Sequence, residues 1–116
     1  MIHCDLKPSN ILVTVVDGAP LPKIIDFGVS RWVETVLRES SGCSAGTAEY
    51  MSPEQADTEA NDIDTRSDIF ALGVIAFELL VGKMPYAAQL SKTKELAELA
   101  PEIRNRRTLS APELLS

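Results

Sequence analysis

The chain has 116 residues, of which 45% are hydrophobic and 24% charged, and it carries a formal net charge of -6. That balance excludes intrinsic disorder, which pairs low hydrophobicity with a large charge excess, and the acidity disfavours binding to nucleic acid or to an anionic membrane surface. Two distant cysteines, Cys4 and Cys43, and one histidine make no zinc-ligand set, so a metal would rest on carboxylate and amide oxygens, and a reducing cytoplasmic compartment is expected.

In chain order, Ile11 to Val16 is a run of β-branched and apolar residues and predicts a strand. Asp17-Gly18 follows as a turn signal, and Pro20 and Pro22 predict an irregular connection. Lys23 to Ile25 then predicts a short returning strand, completing a hairpin with a loose loop. Ser40 to Thr47 has turn composition and no periodicity, which predicts an exposed, mobile segment. Ser52-Pro53-Glu54-Gln55 predicts a helix start, with Ser52 as N-cap and Pro53 in the first helical position.

A second helix is predicted from about Thr65 to Val81, closed by Gly82 and prevented from resuming by Pro85. Its apolar residues cover nearly the whole circumference, which predicts a place at the centre of a core. The apolar stretch from Ile69 to Val81 contains Glu78 and is too short to span a bilayer. No basic region followed by an apolar run opens the chain, so no signal peptide is expected. Lys92 to Ala100 predicts a charged, weakly amphipathic helix, and Pro101 to Ser116 has no clear period. With so few elements to surround it, the apolar helix favours self-association or a complementary partner.

Two clusters carry chemistry. In His3-Cys4-Asp5-Leu6-Lys7-Pro8-Ser9-Asn10, an acid, a cation and a neutral oxygen ligand fall within six positions ahead of a strand. Asp5 could take a proton, Lys7 neutralise a phosphate and Asn10 offer its amide oxygen to Mg²⁺. The bland alternative is a polar surface turn. Asp26-Phe27-Gly28 follows the returning strand, and a hairpin would bring Asp26 back beside Asn10, pairing two hard oxygen donors. Alone, that tripeptide is an ordinary turn; behind the first cluster it gains weight.

These residues resemble the eukaryotic-type protein kinase family, whose signatures are H-R-D-L-x-x-x-N, D-F-G and A-P-E in that order. Here they read H-C-D-L-K-P-S-N, D-F-G and S-P-E. Gly46 to Glu54 is similar to the segment that receives the substrate peptide, and Asp68 to Gly73 to the family's central helix. The stretch from Asp64 to Asp68 is similar to bacterial serine/threonine kinases in particular. The likeness is close from residue 1 to about 86 and fades over residues 87–116, a divergent extension of the same lobe.

The resemblance implies an α+β fold, the mostly helical C-terminal lobe of a kinase with a small β-hairpin beside the catalytic loop. It implies ATP and Mg²⁺ as cofactors and a protein bearing serine or threonine as substrate. Asp5 would orient the substrate hydroxyl and accept its proton, and Asn10 and Asp26 would hold Mg²⁺ on the ATP phosphates. Lys7 and Thr47 match serine/threonine rather than tyrosine kinases, Thr47 bonding toward Asp5 and Lys7. Asp68 would reach backbone N–H groups of the catalytic loop, with His3 as further structural support.

The pattern has departures. Cys4 stands where the family has an arginine that reads an activation-loop phosphate. A thiol cannot make that bidentate contact, so phosphorylation of Ser40, Ser41 or Ser44 is not expected to be read there. No Gly-rich loop or strand lysine precedes His3, so the expectation is a C-terminal lobe without its N-terminal lobe. The arginine that would pair with Glu54 has no convincing counterpart among Arg104, Arg106 and Arg107, which predicts an unpaired Glu54 near the surface. The alternative function is a non-catalytic binding module or a truncated relic.

Overall fold

The computed structural model describes residues 2–26, 48–57, 63–86 and 96–106. The predictions for Phe27, Gly28, the 40–47 segment with Thr47, and residues 107–116 lie outside these, as does part of the predicted 92–100 helix. A 3-10 turn over Pro8–Asn10 leads into β1 (Ile11–Val16), which pairs antiparallel with β2 (Ala19–Ile24). A second 3-10 turn spans Glu54–Ala56, and two helices follow, α1 (Thr65–Val81) and α2 (Leu96–Arg104).

The hairpin is tighter than its prolines suggest. Asp17 and Gly18 have φ of 51° and 78°, so two residues in the left-handed region turn the chain, as the twist of a two-residue hairpin demands. The Ile25 N–H donates to the Asn10 carbonyl at 2.9 Å, which sets the phase of the ladder. Val16–Ala19, Thr14–Leu21 and Leu12–Lys23 are then the hydrogen-bonded pairs. Pro20 and Pro22 fall between them, opposite Val15 and Val13, with their nitrogens turned outward. No ladder bond is lost, so β2 runs six residues instead of the predicted three.

Helix α1 begins where Asp64, in extended conformation, accepts the Arg66 N–H at 2.8 Å. It ends at Gly82, whose φ of 73° lets its N–H reach the Glu78 carbonyl at 2.8 Å. The predicted central burial holds for one face only. Ser67, Ala71, Val74 and Ile75 are buried, whereas Ile69, Leu79 and Leu80 are exposed. The described elements pack on a single side of the helix: Leu6, Tyr50 and Tyr86 join Ala71, Val74 and Ile75 in one cluster, edged by Ile11, Phe70 and Met84. Phe70 and Tyr86 stack within it, centroids 5.9 Å apart.

Two further elements differ from expectation. The predicted helix at Ser52 is a single 3-10 turn, and Ser52 does not cap it. Its hydroxyl and its N–H both donate to Gln55 Oε1, each at 3.1 Å. Helix α2 runs past the predicted end at Ala100 and continues through Pro101. Leu99 and Ile103, four residues apart on one face, are fully buried against Ala48, Met51 and Ala56. That burial outweighs the backbone bond Pro101 cannot make.

Nothing lies within 4 Å of a Cβ built on Gly82, so replacing it tests backbone conformation alone. Gly82→Ala is expected to lower stability by about 1 kcal/mol, read as an earlier urea midpoint at unchanged slope.

Candidate functional site

The site is assembled on the segment from His3 to Asn10, which has no regular ladder of its own and is held by side chains from elsewhere. Asp68, in the first turn of α1, accepts the His3 N–H at 2.8 Å through Oδ2 and the Cys4 N–H at 2.9 Å through Oδ1. Cys4 has φ of 61°, a strained conformation for a residue with a Cβ. Its N–H is fixed by Asp68, and its carbonyl accepts from Gln55 Nε2 at 2.7 Å. The strained peptide is thus gripped from both sides.

His3 is buried and locks the loop to the hairpin. Its Nε2 meets the Ile25 carbonyl at 2.8 Å, while Nδ1 accepts the Asp5 N–H at 3.3 Å. A carbonyl can only accept and an amide N–H only donate, so the ring is the neutral Nε2–H tautomer. These contacts aim Asp5. Its Oδ2 accepts from Asn10 Nδ2 at 3.2 Å and lies 3.2 Å from Lys7 Nζ. Its Oδ1 is buried and has no hydrogen-bond partner among the described residues. A carboxylate held through one oxygen in this way can still accept a hydrogen bond through the other.

Asn10 is buried, and its amide nitrogen also donates to the Asp5 carbonyl at 2.8 Å. With the nitrogen committed to Asp5, the amide oxygen is the atom left for another ligand. The hairpin ladder places Asp26 one residue past the Asn10–Ile25 pairing, exposed and with φ of 64°. Among the described residues no three His, Cys, Asp or Glu side chains gather as a metal site. A cation would therefore draw on the Asn10 and Asp26 oxygens and on oxygens of its own ligand. That donor set fits Mg²⁺, a hard ion that keeps few protein ligands.

Glu54 is not an unpaired surface acid: it is half-buried, and its Oε1 accepts from the Ser67 hydroxyl at 2.7 Å. Of the arginines considered for it, Arg106 is engaged elsewhere and Arg107 lies outside the described residues. Arg106 is buried and donates through Nη1 to the Met51 carbonyl and through Nη2 to the Ala48 carbonyl at 2.8 Å. Its guanidinium also lies 4.8 Å from the centre of the Tyr86 ring. Burial lowers its pKa to about 10, against the opposing pull of Tyr86 and Glu49, so it stays charged at neutral pH. Tyr50 donates to Glu78 Oε2 at 2.7 Å, tying the same segment to α1. Burial first, and then the Glu78 carboxylate, push the Tyr50 phenol well above its ordinary pKa of 10.0.

Sequence reasoning missed the parts played by Gln55, Arg106 and Glu78. Only Glu78 left a signal, as a lone acid inside an apolar helix that needs a partner. The Cys4 thiol is half-buried, and burial together with Asp68 raises its pKa, which keeps it a poor nucleophile. A small cavity lies between the loop, the 50–55 segment and α1, lined by Cys4, Leu6, Met51, Gln55, Ser67 and Asp68.

Comparison with known proteins accords with this geometry. A family model described as the protein kinase domain matches residues 1–114. Serine/threonine-protein kinase Pkn1 of Myxococcus xanthus is 41% identical over 97 residues, covering 78% of this chain and 14% of its own length. Serine/threonine-protein kinase A of Synechocystis is 44% identical over 87 residues, 73% of this chain and 16% of its own. Serine/threonine-protein kinase PknA of Mycobacterium tuberculosis is 36% identical over 106 residues, 89% and 23% respectively. The chain thus spans less than a quarter of each of these relatives.

Asp68→Asn puts an amide where two backbone donors converge, and is expected to cost about 2–3 kcal/mol by urea unfolding. The Tyr50 contact has a pH signature. Its raised folded-state pKa adds stability that is whole below pH 10 and falls as rising pH deprotonates the unfolded chain. Tyr50→Phe should therefore be less stable than the parent at neutral pH, with the difference shrinking above pH 10 in paired unfolding curves.

Proposed function

This chain belongs to the protein kinase family, in its bacterial serine/threonine branch, and from that membership we propose that it supplies C-terminal-lobe machinery for transferring the terminal phosphoryl group of ATP to serine or threonine hydroxyls of a protein. Residues 1–86 are the partial kinase domain, and 87–116 extend the same lobe. The observation that carries the reading is the Asp5 carboxylate, tethered through Oδ2 to Asn10 and Lys7, with a buried Oδ1 that no described residue partners.

In this reading Asp5 Oδ1 takes the hydrogen bond of the substrate hydroxyl and receives its proton as the oxygen attacks. The ammonium group of Lys7, 3.2 Å from Asp5 Oδ2, sits beside the path of the transferred phosphate and offsets its charge. Asn10 and Asp26 are the Mg²⁺ ligands. When bound, ATP-Mg supplies the phosphoryl group and a cation that neutralises charge on the phosphate oxygens. Thr47, outside the described residues, matches serine/threonine kinases in residue type, and His3 and Asp68 keep the loop in shape. Glu54, through Ser67, holds the substrate-receiving segment against α1. The half-buried free thiol of Cys4 supports a reducing, cytoplasmic setting in this reading.

Positioning and charge stabilisation supply nearly all the catalysis in this reaction class, and the sequence holds no Gly-rich loop or strand lysine to clamp ATP. The 116-residue chain by itself is therefore expected to transfer no phosphate to a serine peptide. Grafted over the matching region of Pkn1 of Myxococcus xanthus, residues 3–86 are expected to support ATP-Mg-dependent phosphorylation. Asp5→Ala in that chimera should lower kcat roughly 10²–10⁴-fold, and Asp26→Ala should abolish Mg²⁺-dependent turnover. Full activity in the Asp5 variant would refute the assignment.

A further inference from the structure

The two outer edges of the hairpin differ, and the difference indicates what completes its sheet. Because every second residue pair exchanges hydrogen bonds, the intervening backbone groups of each strand face outward. On β2 two of those positions are Pro20 and Pro22, which have no N–H to offer. On β1 they are Ile11, Val13 and Val15. The Ile11 N–H is spent on the Pro8 carbonyl, but no described residue accepts from Val13 or Val15. One edge is blocked, and the other has no partner among the described residues.

The open edge also has the composition for self-pairing. Ile11–Val16 is six residues of high β-propensity with no charge, no proline and no glycine, the kind of segment that pairs with identical copies of itself. Its side chains are largely bare: Val13 is 65% and Val15 72% exposed, and Leu12 and Val16 about half. A two-stranded sheet that, among the described residues, meets the core only through Ile11 is marginal, and a third and fourth strand would relieve that. The charge of -6 on each copy opposes association in general, which favours contact along this uncharged strip.

We propose that the open edge of β1 pairs antiparallel with β1 of a second copy of this chain. A two-fold axis at Val13 sets Val13 against its own counterpart and Ile11 against Val15, making the same bonds in both directions. The product is a four-stranded sheet in the order β2–β1–β1–β2. Growth stops there, because both new edges are the proline-blocked β2 strands. The inference is independent of the phosphoryl-transfer reading, and neither depends on the other's test.

Sedimentation of the full chain over a range of concentrations tests it, alongside amide exchange at Val13 and Val15. The expected result is a doubling of mass on concentration, with both amides exchanging more slowly in the dimer than in the dilute monomer. Val13→Pro leaves every bond within the hairpin intact, because position 13 makes none with β2, and is expected to restore the monomer mass with an unchanged circular dichroism spectrum. If that variant fails to fold, exchange at the two amides of the unaltered chain decides the matter. A monomer at all concentrations would overturn the proposal. So would a dimer whose Val13 and Val15 amides exchange freely, which would point to another surface such as Leu79 and Leu80, or open-ended fibres, which two blocked edges forbid.

Discussion

The two hydrogen bonds from Asp68 to the His3 and Cys4 amides are the constraint on which the site depends. The loop from His3 to Lys7 belongs to no helix or strand, so its backbone donors must find acceptors outside themselves or be left unsatisfied. Asp68 meets two of them with one side chain, and it does so from the start of a seventeen-residue helix whose buried face is packed against Leu6 and Tyr50. Rigidity is thereby passed from a packed element to an irregular one. It also holds Cys4 in a left-handed conformation that the residue would not choose alone. Without that turn, His3 could not reach Ile25 while its other ring nitrogen receives the Asp5 amide.

The 48–57 segment is held in the same way. Gln55 spans from Ser52 to the Cys4 carbonyl, Arg106 caps the carbonyls of Ala48 and Met51, and Tyr50 and Ser67 join it to the helix through Glu78 and Glu54. Side chain to backbone contacts replace the ladder that a regular element would provide. Bonds that involve a charged group are individually stronger than neutral ones, and four of these contacts do so. The cost is that several polar groups are buried together, so removing one partner strands another.

Much of this was legible in the sequence, and the failures have physical causes. The bounds of α1 were readable because helix length, Gly82 and Pro85 are local signals. The acid, lysine and amide of the first cluster were readable because their chemistry and spacing are properties of a short peptide. The length of β2 was not, because a proline's cost depends on whether its nitrogen faces a partner, and that phase is set by the Asn10–Ile25 bond. The continuation of helix α2 past Ala100 was not readable, because Pro101 is a local breaker overruled by the burial of Leu99 and Ile103 against residues some fifty positions earlier. The central helix was expected to be buried all round, and the exposure of Leu79 and Leu80 is a fact about its neighbours rather than about itself.

For the site, sequence alone determined which groups are present: the Asp5 acid, the Lys7 cation, the Asn10 amide and the Asp26 carboxylate, all fixed by residue type and close spacing. Tertiary structure decided how they are used. It committed one oxygen of Asp5 to Asn10 and Lys7 and left the other without a partner among the described residues, gave Glu54 the Ser67 hydroxyl, and sent Arg106 to backbone carbonyls. These are contacts between residues far apart in the chain. Their partners are chosen by packing geometry, which no local pattern encodes.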